Sequence, residues 1–158
     1  MIKGVVLMEQ NTNRSLLSKY SNNINLNLPL NDYPRPEMER ENWINLNGRY
    51  DYAIVSKNDD SPVDYQGLII VPYCVESSLS QVQKQLKPDE LLWYRRFFQV
   101  NESFDNKRLL LHFEAVDYYC SVFINNQLVG KNRGGYLPFS FDITNYVIVG
   151  DNQLTICV

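Results

Sequence analysis

Histidine occurs once in this chain, cysteine three times, and neither forms a cluster. Cys74, Cys120 and Cys157 lie far apart with no C-x-x-C pair, and His112 stands alone between Leu111 and Phe113. A zinc site draws on about four closely placed ligands, so no metal and no cofactor is expected. A lone histidine also leaves serine or cysteine catalysis without a positioned base, and no G-x-S-x-G elbow is present. Gly-rich phosphate loops are missing too, so Gly134-Gly135 reads as a turn.

Long runs of one character are equally scarce. Near the start only Val5 to Met8 is continuously apolar, well short of the roughly 7–15 residues of a signal segment or the roughly 20 of a span. No membrane partner is expected. Basic residues number 15 and acidic residues 18, a net charge of −3 without a block of either sign. Clustered Lys and Arg drive polyanion binding, so no nucleic acid is expected, even though Arg95-Arg96 sits among Trp93, Tyr94, Phe97 and Phe98. Free thiols suit a reducing compartment, and the expectation is a soluble, cytoplasmic protein.

What the chain does have is alternation and tyrosine. At 158 residues with 44% hydrophobic side chains it can bury one core. Residues 1–32, rich in Asn and Ser, read as a polar N-terminal arm; Pro34 and Pro36 mark its end, and 33–158 reads as the folded body. Tyr50, Tyr52 and Ile54 alternate with Asp51 and Ala53. The same two-residue period runs through Arg108–Glu114, Tyr118–Ile124 and Phe139–Ile143. Further strands are read at Gly67–Val71, a short apolar run ended by Pro72, and at Trp93–Val100, Gln127–Lys131 and Gln153–Val158. Asn125-Asn126 fits a two-residue hairpin turn. Helix is expected only as a turn or two within Glu76–Leu86 and Asp142–Val147, the second capped by Asp142. Many short strands at regular spacing predict an all-β fold, a jelly-roll β-sandwich.

Residues that could do chemistry are few. Glycoside cleavage uses two carboxylates roughly 5–9.5 Å apart, and the candidates are Asp59-Asp60, Asp89-Glu90, Glu76, Glu114 and Asp117. The pairs lie in polar loops beside Pro62 and Pro88, where solvated turns are the better reading. Tyr73, Trp93, Tyr118, Tyr119 and Tyr136 could stack on sugar rings, although strand aromatics more often pack against neighbours.

Four ordered blocks then point to one family. PRPEMERENWINLNGRYDYAI, IIVPYCVESSLSQV, LLWYRRFFQV and LHFEAVDYYCSVFINNQLVGKNRGGYLPFSFDITNYV resemble the N-terminal domain of glycoside hydrolase family 2, the β-galactosidase and β-glucuronidase family. The resemblance implies a galactose-binding-domain-like jelly roll, the sugar-binding domain of these enzymes. It places the acid/base and nucleophile glutamates on a separate barrel, so the chain alone is expected to have no catalytic residues and no activity. Asn101-Glu102 copies the family's catalytic dipeptide but follows a sandwich strand. The resemblance further implies that the loop after Val71-Pro72 reaches the substrate, making Glu76, Ser77 and Tyr73 the candidate substrate-binding residues. The β-galactosidase pattern has asparagine where this chain has Cys74.

Expected partners are carbohydrate, weakly or only with the catalytic domain, the rest of a parent enzyme, and a possible homo-oligomer. That last expectation rests on the resemblance, which implies that 33–158 is truncated at its C-terminal end and lacks a further strand, so the final strand would leave a partly apolar edge unpaired. The alternatives are a free-standing carbohydrate-binding module and a structural interaction domain without sugar affinity.

Overall fold

Two-residue alternation sets the strands of the computed structural model, which describes residues 23–104 and 107–158. Eight strands follow in order: β1 Gly48–Ser56, β2 Gly67–Val71, β3 Glu90–Val100, β4 Leu110–Phe113, β5 Tyr119–Ile124, β6 Gln127–Arg133, β7 Phe139–Asp142 and β8 Gly150–Cys157. Six form one antiparallel sheet in the order β2-β1-β3-β8-β5-β6, and β4 pairs with β7 in a second sheet. Inward residues such as Tyr50, Ile69, Leu92, Val122 and Leu154 make the core, which Leu111 and Ile143 close from the β4–β7 side. Fully burying an aliphatic side chain of this size stabilises by roughly 1.5–3 kcal/mol. This is the expected β-sandwich.

The Asn125-Asn126 turn forms as expected, with φ of 49° and 65° at its two residues. Asn125 does more than turn the chain. Its Nδ2 donates to the Tyr146 carbonyl and to Asn152 Oδ1, both at 2.9 Å, while its Oδ1 accepts from Gln153 N. Asn152, 1% exposed, then ties down the Ile148–Gly150 approach to β8. Its Nδ2 donates to Ile148 O at 2.7 Å and Gly150 O at 3.0 Å, and its Oδ1 accepts from Ile148 N at 2.8 Å.

Two expectations are narrowed and one changes. The helix within Glu76–Leu86 shrinks to a 3-10 turn, Ser78–Ser80, because Val75 dips into the core and Gln81 and Gln83 take positive φ. The helix within Asp142–Val147 is a single turn. Asp142 ends β7, and its Oδ1 accepts from Thr144 N at 3.1 Å and Thr144 Oγ1 at 2.6 Å. The Thr144 hydroxyl and then Arg108 hold its carboxyl down at about 2. The β-branched run Val147, Ile148, Val149 disfavours helix beyond that turn.

The last strand is the largest correction. β8 pairs with β3 along Gly150–Cys157 and with β5 along Leu154–Cys157, so it lies mid-sheet and offers no free edge. The sheet's edges are β2 and β6, which removes the argument for self-association through the final strand.

Of the expected arm, residues 1–22 lie outside the described residues. Residues 23–30 run against the start of β1, where Arg49 Nε donates to Asn27 Oδ1 at 2.9 Å and Asn47 Nδ2 donates to Pro29 O at 3.4 Å. Pro29 is buried. Gly48 takes a φ of +125°, and a Cβ there would overlap the Asn27 carbonyl oxygen.

Candidate functional site

The loop after β2 is held firmly from below. Ser77 Oγ caps the 3-10 turn by accepting from Ser80 N at 3.2 Å. Ser80, fully buried, has its hydroxyl 2.8 Å from Ser77 O and 3.0 Å from Val75 O, and it accepts from Val82 N at 3.1 Å. Tyr73 N donates to Ile70 O and Ser77 N to Cys74 O, so successive residues turn back on themselves. The outcome is a pinned loop that keeps Glu76 and Cys74 exposed and half-buries Tyr73 and Ser77. The structure therefore brings the three sequence-predicted residues onto one loop, while giving Ser77 a capping role as well.

Beneath the loop stand the core-facing tyrosines. Tyr94 of β3 meets Tyr50 edge-on at 6.4 Å between centroids. Burial, followed by the nearby Glu76 and Cys74, pushes the Tyr94 phenol well above the ordinary tyrosine range. Tyr50 donates its hydroxyl to Leu46 O at 2.9 Å, and burial pushes its phenol up to about 12 against the opposing pull of Arg96. A neutral phenol is thus favoured by folding. Unfolded tyrosine releases its proton near 10, so between about 10 and 12 the folded state binds more protons and stability falls as pH rises. Chemical denaturation of the chain from pH 9 upward is expected to lose roughly 2–3 kcal/mol across that window from Tyr50. Tyr50→Phe should flatten the slope; an unchanged slope would show that Tyr50 does not titrate there.

Several of the other candidate carboxylates take structural posts. Asp59 Oδ2 accepts from Ser56 N, Glu90 Oε2 accepts from Lys87 N, and Glu114 pairs with Arg35 at 3.7 Å. Asp117 packs where a Cβ on Gly135 would stand. Glu102 lies exposed in a 3-10 turn after β3. His112 Nδ1 is 2.6 Å from Ser140 Oγ on the exposed face of the small sheet. Among the described residues no group of three His, Cys, Asp or Glu gathers as a metal site would require.

The aromatic candidates scatter. Trp93 stacks on Phe123 at 6.0 Å, Tyr118 lies under Arg133, and Tyr136 is 94% exposed at the Gly134-Gly135 turn. Two surface cavities, of about 280 and 430 Å³, open elsewhere, and neither is lined by Tyr73, Glu76 or Ser77. Sequence reasoning missed the smaller one, which lies around Arg49, Asp51, Arg95 and Phe97 on the outer sheet face. The signal was the alternation Arg49-x-Asp51 and Arg95-x-Phe97, which puts each pair on one face of its strand.

Residues 69–158 match the family described as Glycosyl hydrolases family 2, sugar binding domain. A beta-galactosidase of Thermoanaerobacter pseudethanolicus is 42% identical over 66 residues, covering 42% of this chain and 9% of that protein. A beta-galactosidase of Streptococcus thermophilus is 23% identical over 99% of this chain and 15% of its own length. Among solved structures, Bifidobacterium dentium beta-glucuronidase complexed with coumarin-3-O-glucuronide superposes with a TM-score of 0.59 at 28% identity, over 72% of this chain and 19% of that one. A beta-D-mannosidase from Dictyoglomus thermophilum shares the fold, with a TM-score of 0.58 at 20% identity over 72% of this chain and 15% of its own. The chain thus spans only a small part of the length of the relatives it matches.

Proposed function

Since the chain belongs to glycosyl hydrolase family 2, whose sugar binding domain it carries, we propose that it is a non-catalytic wall of a substrate pocket completed by a separate catalytic domain. The parent reaction would be hydrolysis of O-glycosyl bonds, of the β-galactosidase or β-glucuronidase kind. The observation that carries this reading is the pinned loop after β2, which presents the exposed Glu76 carboxylate while Asp59, Glu90 and Glu114 serve turns or an ion pair. A carboxylate of this kind accepts from sugar hydroxyls, and charge-assisted hydrogen bonds are about twice as strong as neutral ones. Tyr73 would flank the sugar with its ring and Ser77 would hold the loop in shape. A reducing, cytoplasmic setting belongs to the same proposal and draws on the free Cys74, Cys120 and Cys157.

The test uses the chain itself. Nitrophenyl β-galactoside and β-glucuronide are expected to show no hydrolysis above buffer. Methyl β-galactoside or β-glucuronide, titrated while backbone amides are followed by NMR, should move residues 73–77, with Glu76→Gln weakening the response roughly tenfold. Turnover by the chain alone would overturn the non-catalytic reading. Loop amides that stay still with every glycoside would leave only a structural role.

A further inference from the structure

The outer face of the six-stranded sheet carries a charged notch unconnected with the loop after β2. Strand register aligns Leu68 of β2, Asp51 of β1 and Arg95 of β3 in one row across the sheet. Arg49 and Phe97 stand two residues away on the same faces of β1 and β3. These five side chains, with Arg96, line a cavity of about 280 Å³.

Charge and shape together narrow what fits. Arg49 and Arg95 share that face with Asp51, an excess of one positive charge on a chain whose net charge is −3. Arg96 alternates to the other face, its guanidinium 5.4 Å from the core-facing Tyr50 ring. Arg95 is braced: its Nε and Nη2 donate to Asp51 Oδ2 at 3.0 and 2.8 Å, and its guanidinium lies 3.9 Å from the Tyr65 ring centre. Arg96 is braced by the Asn47 carbonyl at 3.0 Å. Arg49 is held only through Nε, so among the described residues its two Nη groups remain as donors. A partly exposed ion pair such as Arg95–Asp51 adds little stability by itself. Beside them Phe97 holds a flat ring 59% exposed, 5.6 Å from the Arg95 guanidinium.

An arginine fork pairs with a carboxylate or a sulfate through two parallel bonds, and a flat aromatic ring suits the apolar C–H face of a pyranose. Asp51 can accept from a ring hydroxyl. We propose that the Arg49–Asp51–Arg95–Phe97 notch binds an acidic sugar unit of a glycan, its anionic group on the arginines and its ring against Phe97. This carbohydrate site is separate from the loop at Tyr73 to Ser77 and does not depend on the reading of that loop.

Calorimetry and backbone-amide NMR on the chain test it with five probes: digalacturonate, a sulfated galactose disaccharide, cellobiose, sodium sulfate and a short single-stranded oligonucleotide. At least one acidic disaccharide is expected to bind about tenfold or more tighter than cellobiose, moving the amides of Arg49, Asp51, Arg95 and Phe97 and weakening with added salt. Whichever acidic sugar binds identifies the anion. Phe97→Ala and Arg49→Gln, both at exposed positions, should each weaken binding roughly fivefold or more without altering the rest of the spectrum. The proposal is overturned if cellobiose binds as well as the acidic sugars, or if no probe moves these amides. It is overturned equally if the oligonucleotide binds tightest, or if sodium sulfate matches the sulfated sugar and Phe97→Ala changes nothing. Because residues 73–77 are read in the same spectra, failure at the notch and failure at the loop are told apart.

Discussion

Asn152→Ala is expected to cost about 3–4 kcal/mol of stability, the largest single loss among polar substitutions in this domain. Four hydrogen bonds of 2.7–3.0 Å converge on its amide: two donated to Ile148 O and Gly150 O, two accepted from Ile148 N and Asn125 Nδ2. Each contributes roughly 1 kcal/mol net, and a buried partner left without a bond costs roughly 1–3 kcal/mol more. Water entering at Ile148, which is 62% exposed, limits that second part. Urea denaturation of Asn152→Ala, Asn125→Ala and the double variant checks the account. The two losses should sum to more than the double variant shows, because the residues share a bond. A single-variant loss under about 1 kcal/mol would mean that the network does not hold the approach to β8.

Gly48→Ala is the second large effect, expected at roughly 2–5 kcal/mol. Part is backbone strain, since a φ of +125° is a region that side chains other than glycine enter at about 1–3 kcal/mol. The rest is overlap, because the new methyl would strike the Asn27 carbonyl oxygen, and overpacking typically costs about 1–3 kcal/mol. Lifting residues 23–30 off β1 would relieve the clash. Gly48→Ala should therefore lower Tm and also speed proteolysis near Asn27. Unchanged Tm with unchanged cleavage would show that the two segments do not press on each other.

Much of the fold was legible because several strands alternate clearly. Tyr50, Tyr52 and Ile54 against Asp51 and Ala53 announce β1, and Asn125-Asn126 announces the hairpin, since both signals are local. The turn or two of helix expected within Glu76–Leu86 comes down to the single 3-10 turn Ser78–Ser80. The Ser, Gln and Lys residues of that segment suit a helix locally, but burial of Val75 and the internal bonds of Ser80 draw the chain into a tight turn. The position of β8 was invisible because pairing partners up to 64 residues away, Trp93 with Cys157, carry no local signature. The loop from Tyr73 to Ser77 was proposed from family resemblance, and Ser77's bond to Ser80 N is a local contact of the kind a serine before a turn can announce. The outer-face notch needed strand register as well, for Asp51 and Arg95 lie 44 residues apart and become neighbours only when β1 meets β3.

The central place of β8 also bears on the order in which the domain can assemble during synthesis. Without residues 150–157 the six-stranded sheet is two disconnected ribbons, β2-β1-β3 and β5-β6, each with a long open side. A ribosome that has made everything through Val149 therefore holds a chain whose halves cannot yet be joined. The strand that stitches them emerges after both, and its contacts with β3 span most of the intervening sequence, the kind of pairing that slows folding. In the interval the Leu92 and Val122 surfaces wait uncovered, which makes translation through these eight residues the moment at which the nascent domain is most open to wrong partners.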